Sequence, residues 1–137
     1  MSRRIDRCDA GQALVEAAVI APVLLIILMG VIDFGRFAYD GIVLANAATA
    51  GVQYGAQNFV NASDILGMKN AANTDCQSLC GTGTSARFFT TAMPGSTTVR
   101  RSYVEVTTSA TYAPIVAYPG IPASIPLQRT ADRQVSP

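Results

Sequence analysis

The hydrophobic residues of this 137-residue chain are concentrated in one long run near the N-terminus. Sixteen consecutive uncharged residues, AAVIAPVLLIILMGVI, separate Glu16 from Asp33, and 23 residues with a single charge separate Asp9 from Asp33. A helix of 23 residues is about 35 Å long, which is enough to cross a bilayer. We therefore predict a membrane span over about residues 13–33. The core helix of a globular protein and the apolar region of a signal peptide are the alternatives.

Beyond the span, small residues recur at helical spacing and extend the predicted helix to 12–58. They are Gly41, Ala45, Ala48, Gly51 and Gly55. A helix face made of such residues allows a second element to approach closely, either within the chain or from a neighbouring subunit. We expect mainly packing within the chain, and one long helix from about Gln12 to Gln57.

The remaining residues, 59–137, predict a small domain with a short helix and an antiparallel sheet. Residues 61–73 suit a helix, with Asn61 or Ser63 as its N-cap and Asp64 in the first turn. The clearest strand is YVEVTTSATY, 103–112, which alternates two faces. One of these faces carries Val104, Val106, Thr108, Ala110 and Tyr112.

A second strand over about residues 124–135 is expected to pair antiparallel with the first, and a helix must cover their apolar face. The predicted linker between the strands contains Pro114, Pro119, Pro122 and Pro126. The sequence thus predicts an α+β protein, in which a long N-terminal membrane-spanning helix precedes a small domain.

Charge and composition narrow the possible functions. Ten basic and nine acidic residues give a net charge of +1, which offers no basic surface for nucleic acid. The sequence has no histidine, the commonest general base and metal ligand, and no phosphate-binding loop, hydrolase motif or metal-ligand cluster. We expect a protein that is not an enzyme and that has no cofactor, metal or small-molecule substrate.

The charges that flank the apolar run predict its orientation. Arg3, Arg4 and Arg7 precede the run, whereas only Arg36 follows it closely. Because basic residues accumulate on the cytoplasmic side of a span, the N-terminus is expected in the cytoplasm and the C-terminal domain outside it.

Glu16 is an ionisable residue in the first turns of an otherwise apolar helix. Such a charge costs ~2 to 3 kcal/mol at membrane depth unless it reaches the interface or finds a partner. It is preceded by a short polar leader, MSRRIDRCDA, then by Gly11 and QALV. This order is the layout of a prepilin, although a glutamate that simply reaches the interface is the plainer interpretation.

The segment from Gly11 to about Ala56 resembles the TadE-like pseudopilin family of tight-adherence (Flp-type) pilus systems. The resemblance is carried by Gly11, the Val15-Glu16 pair, Pro22 within the apolar helix, and the exit formed by Asp33, Phe34, Gly35 and Arg36. It implies a pilin-like layout and a cytoplasmic leader, 1–11, that a prepilin peptidase removes between Gly11 and Gln12. It also implies that Glu16 serves peptidase recognition and assembly, by pairing with the new α-amine of a neighbouring subunit.

Two features of the long helix follow from its residues. Pro22 has no N–H to donate and its ring crowds the preceding turn, so we expect a kink there. Asp33 and Arg36 are three residues apart and can form an ion pair on one helix face.

Cys76 and Cys80 form a C-x-x-x-C motif in the predicted outer domain. Outside the cytoplasm two nearby thiols can be oxidised, so we expect a disulfide. A metal site is the rival, but two thiols without histidine leave the coordination shell incomplete. Cys8 lies in the leader and is lost if the leader is cleaved.

The function predicted from sequence is that of a minor pilin or pseudopilin. The chain would be made as a single-pass protein of the bacterial inner membrane, and it can then enter an extracellular pilus. Its partners would be the prepilin peptidase, other pilins and the pilus assembly platform. The main alternative is an uncleaved, membrane-anchored envelope or binding module, and a weaker one is a secreted binding protein with an atypical signal peptide.

Overall fold

A computed structural model of the protein describes residues 7–80, 83–92, 100–116 and 120–136, with side chains from residue 11 onwards. The elements are helices α1 (Arg7–Gly55), α2 (Phe59–Ser63) and α3 (Ile65–Cys76), and strands β1 (Ser85–Ala92), β2 (Arg100–Tyr112) and β3 (Ile125–Gln134). The predicted α+β class is therefore confirmed. Residues 1–6 of the predicted leader, the side chain of Cys8, and Pro119 of the predicted linker lie outside this description.

The chain divides into two compact units, Met1–Arg36 and Phe37–Pro137, which we call the N-terminal unit and the C-terminal unit. The long helix α1 contributes residues to both. It begins at Arg7, five residues before the predicted start, because no proline or glycine interrupts the chain between Arg7 and Gly11. Pro22 lies inside α1, and the helix continues on both sides of it.

The short helical region after α1 differs from the prediction. The single helix predicted over 61–73 is two helices, α2 and α3, and Asp64 is the N-cap of α3 rather than a residue of its first turn. The N-cap of α2 is Asn58, whose side chain accepts a hydrogen bond of 2.8 Å from the Asn61 N–H. Asp64 accepts an equivalent bond of 2.8 Å from Gly67. The predicted caps, Asn61 and Ser63, were wrong because several cap-forming residues occur close together here.

The sheet is antiparallel, with the order β1-β2-β3. The two predicted strands correspond to β2 and β3, and the predicted apolar face of β2 is the better buried one. Strand β1 was not predicted. Pro126 does not belong to the linker, because it lies within β3 opposite Thr111, at a sheet edge where a missing N–H is tolerated.

The core of the C-terminal unit lies between the sheet and the helices. One cluster joins α1, α3 and the sheet through Val52, Met68, Ala72, Val104 and Val106. A second cluster contains Leu44, Ala47, Cys76, Cys80, Tyr112 and Leu127. Thr108 is fully buried between them and donates a 2.9 Å hydrogen bond to the backbone oxygen of Leu44, so its hydroxyl is satisfied.

Two glycines allow α1 to approach the rest of the core. A Cβ atom at Gly51 would lie 3.0 Å from the Met68 backbone oxygen and 3.0 Å from both methyl groups of Val106. At Gly55 it would overlap the side chain of Met68. The prediction that the small-residue face packs within the chain is therefore confirmed at these two positions.

The opposite face of the sheet is polar and open. Arg87 of β1 makes two hydrogen bonds, 2.7 and 2.8 Å long, to the carboxylate of Glu105 on β2, and these raise the pKa of the guanidinium. Next to this pair, the rings of Phe89 and Tyr103 stack with their centroids 5.8 Å apart. These cross-strand pairs hold β1 in register with β2.

Candidate membrane and processing site

The apolar part of α1 is exposed on all sides. Every residue from 11 to 29 is exposed, and the large aliphatic side chains among them point in all directions around the helix. In the described part of the chain, Gly11–Gly55 is the one helix long and apolar enough to cross a membrane. A helix that is apolar all round is stable only where protein or lipid surrounds it, and none of its most apolar stretch is buried by this chain.

Gly11, Gln12 and Glu16 lie on the first turns of α1 and are all exposed. No atom lies within 4 Å of a Cβ built at Gly11, so open space surrounds the Gly11–Gln12 bond. Glu16 is four residues after Gln12, and residues with this spacing lie on one face of a helix. The carboxylate therefore lies one turn from the backbone nitrogen of Gln12.

At the other end of the apolar run, Asp33 and Arg36 form the predicted ion pair, with 3.5 Å between Arg36 Nη1 and Asp33 Oδ1. The carboxylate is largely buried, whereas the guanidinium is about half exposed. Phe34, by contrast, is 71% exposed, and Gly35 is exposed too. The end of the apolar run therefore combines the Asp33 carboxylate, held by its ion pair, with the exposed ring of Phe34, which can contact lipid.

The aromatic residues after the run have different environments. Phe37 packs edge-on against Tyr112 of β2, with 5.5 Å between the ring centroids and 84° between the ring planes. Tyr39 is exposed. Packing within the C-terminal unit therefore accounts for the aromatic ring of Phe37. Phe34 and Tyr39 have the exposure typical of aromatic residues at a membrane surface.

The C-terminal unit contains the predicted disulfide between Cys76 and Cys80, whose Cα atoms are 5.7 Å apart. It closes a short loop at the end of α3, where Gln77 has a positive φ of 52°. Both cysteines are buried in the second core cluster. The described residues contain no group of three or more His, Cys, Asp or Glu side chains that could hold a metal ion.

Tyr54 and Asp64 form a pair that the sequence did not reveal. The Tyr54 hydroxyl donates a 3.0 Å hydrogen bond to Asp64 Oδ2, while Oδ1 of the same carboxylate caps α3. This hydrogen bond, with smaller effects from desolvation and the negative charge of Asp64, raises the pKa of Tyr54 above its usual value of 10.0. The pair connects the end of α1 to the start of α3.

The described residues include a long N-terminal helix that is apolar and exposed in its first half, and a small sheet that packs against its second half. One comparison with known families gives a match. The family model of TadE-like proteins matches residues 11–53. This confirms the resemblance recognised from the residues and identifies the segment as TadE-like.

The match begins at Gly11 and ends near the end of α1, so it covers just under a third of the chain and none of the sheet. The TadE-like family consists of pilin-like proteins associated with tight-adherence (Tad/Flp) pili, and its members are generally structural rather than enzymatic. No curated protein and no solved structure matches the chain significantly.

Proposed function

We propose that this protein is a structural, pilin-like component of a tight-adherence pilus system, inserted in the bacterial inner membrane by the apolar half of α1. The observation that carries the proposal is the exposed apolar helix with a single carboxylate, Glu16, in a segment that matches TadE-like proteins. Such a helix suits lipid before assembly and the apolar surfaces of other pilins after it. The same chain can therefore exist as a membrane protein and as an assembled subunit.

The orientation we propose has the N-terminus in the cytoplasm and the C-terminal unit outside it. Three arginines precede the span, and one closely follows it. The disulfide between Cys76 and Cys80 supports the proposal because disulfides persist in oxidising compartments such as the periplasm.

Processing is proposed between Gly11 and Gln12, by a prepilin peptidase at the cytoplasmic face. The bond lies within the first turns of α1, so the peptidase must unwind these turns to reach it. Gly11 lowers the cost of unwinding, because glycine destabilises a helix by roughly 0.5–1 kcal/mol relative to alanine. Open space around Gly11 leaves the bond accessible.

Cleavage gives Glu16 its proposed partner. It creates an α-amine on Gln12, and a carboxylate and an amine that meet in an apolar environment offset the cost of burying each charge. Pairing the amine of one subunit with the carboxylate of the next also determines their axial register. Other pilins and the assembly platform are the proposed partners.

The proposed role of Glu16 is tested by comparing Glu16→Gln with Ala17→Gln. Each variant places one glutamine amide in the same exposed turn of α1, but only the first removes the carboxylate. We expect Glu16→Gln to lose most surface pili and Ala17→Gln to retain them. The measurement is the amount of pilin sheared from cells that carry the cognate pilus system and lack their own copy of this protein.

Equal amounts of sheared pilin from both variants and from the native chain would contradict the role of Glu16. If pili are equally abundant in cells that lack the protein altogether, the pilus role itself is wrong. In that case an uncleaved, membrane-anchored envelope module becomes the better account of the chain.

A further inference from the structure

A groove of about 480 Å³ lies in the C-terminal unit, where the end of α1 meets the end of β3. Its polar lining consists of Gln53, Gln57, Arg133, Gln134 and Ser136, all of which are exposed. No carboxylate lines the groove, so Arg133 gives it a positive charge. Among the residues that the structure describes, none forms an ion pair with Arg133.

Hydrogen bonds within the chain make this groove rich in donors. The Oε1 atom of Gln57 accepts a 3.1 Å bond from Asn61 Nδ2, and Oε1 of Gln134 accepts a 2.9 Å bond from Arg101 Nη1. The NH2 groups of these two glutamines have no acceptor in the described part of the chain, and the guanidinium of Arg133 adds further donors. Carboxylates are suited to such a site, because they combine a negative charge with acceptor oxygens. We call this site the donor groove.

The same unit has a second cavity, of about 260 Å³, with the opposite charge. Asp40 of α1 and Asp75 of α3 both line it, next to Tyr39, and no basic residue does. Arg129 approaches the neighbouring Gly41, but it forms no ion pair with either aspartate. We call this site the acidic cavity. Its two carboxylates have no cationic partner within the residues described.

The donor groove and the acidic cavity lie at opposite ends of the C-terminal unit. On α1, Tyr39 lines the cavity and Gln53 lines the groove, and these residues are about four helical turns, or about 21 Å, apart. Helix α3 begins beside Tyr54 and ends in the core cluster that contains Leu44, so Asp75 lies at the same end as Tyr39. The two sites therefore cannot pair within one copy of the chain.

We propose that the donor groove of one copy binds Asp40 and Asp75 of a second copy, which joins C-terminal units end to end. A second copy is the expected occupant because this chain carries both halves of the complementary pair. The contact joins two different surfaces, so a pair of copies keeps one free groove and one free cavity, and the contact can repeat along a filament. The proposal rests on the pilin-like assembly proposed above for its setting and adds a contact to it.

Complementary charge reversals test this pairing in the full-length protein in detergent. Arg133→Asp reverses the charge of the donor groove, and Asp40→Arg/Asp75→Arg reverses that of the acidic cavity. Arg100→Asp is the matched control, because Arg100 is an exposed arginine that lines neither site. The measurement is the self-association constant from sedimentation velocity at low ionic strength, where attraction between exposed charges is least screened. Circular dichroism confirms that each variant has folded.

We expect the native chain and Arg100→Asp to associate equally. Each reversal alone should lower the association constant by at least about tenfold, because like charges then face each other. An equimolar mixture of Arg133→Asp and the double variant should recover association, because each reversed site then meets a site of opposite charge.

A native chain that does not associate, or equal association in all variants, would overturn the proposal. Loss of association in both reversals without recovery in the mixture would also overturn it, because the two sites would then not be partners. These results come from purified protein and do not depend on whether cells need the chain for pili. The Glu16 comparison described above tests that separate question.

Discussion

Gly51 and Gly55 determine how closely α1 can approach the sheet and α3. Their hydrogen atoms face the Met68 backbone oxygen, the Met68 side chain and the methyl groups of Val106. The helical spacing of small residues predicted such a face, but the same spacing also suited contact with a neighbouring subunit. Only the positions of Met68 and Val106 distinguish the two, and these depend on pairing between residues distant in sequence.

We expect Gly51→Ala to destabilise the C-terminal unit by about 1–3 kcal/mol, because a methyl group there is forced against backbone and a β-branched side chain. Gly35→Ala is the control, since it gives the same gain in helix propensity at a position with nothing within 4 Å. The measurement is the Tm of the unfolding transition in detergent, followed by circular dichroism. A Tm equal to that of Gly35→Ala would show that the close approach is absent.

At the scale of elements, the long helix could be predicted from its apolar run and the small residues that follow at helical spacing, and strand β2 from its alternating faces. Strand β3 could be predicted as the antiparallel partner that β2 needs. Strand β1 could not: Phe88 and Phe89 are adjacent, which hides the alternation, and the strand is defined by its pairing with β2. The run of aromatic and β-branched residues from 88 to 91 was the available signal. The break between α2 and α3 was missed because Asn58, Asn61, Ser63 and Asp64 are all suitable caps.

The disulfide restrains the chain between two elements, since it joins the end of α3 to the loop that leads towards β1. The double variant Cys76→Ala/Cys80→Ala should lose about 2 kcal/mol of stability, because the bond closes a loop of only five residues. Denaturant unfolding of the two proteins under non-reducing conditions measures this loss. Cys8→Ala is the control and should leave the midpoint denaturant concentration of unfolding unchanged. An unchanged midpoint in the double variant would mean that the disulfide contributes nothing to stability.

At the scale of the whole molecule, the chain combines a segment typical of a family with a domain that the family match does not cover. The candidate site is proposed from sequence because its signals are local: a glycine, a glutamate and an apolar run in a fixed order. The roles proposed for Gly11, Gln12 and Glu16 involve a peptidase, lipid and neighbouring subunits. Contacts within one chain do not reveal such roles.

The central claim is that this chain is a prepilin-like precursor, and the first residue of the mature protein tests it most directly. We would determine it by intact mass and N-terminal peptide mapping after expression in membranes with and without the cognate prepilin peptidase. Gly11→Ala and Gly35→Ala serve as a matched pair, because both add one methyl group to an open glycine of α1. We predict a peptidase-dependent product that begins at Gln12 in the native chain and in Gly35→Ala, and that is lost in Gly11→Ala. A chain that still begins at Met1 or Ser2 in the presence of active peptidase would contradict the claim.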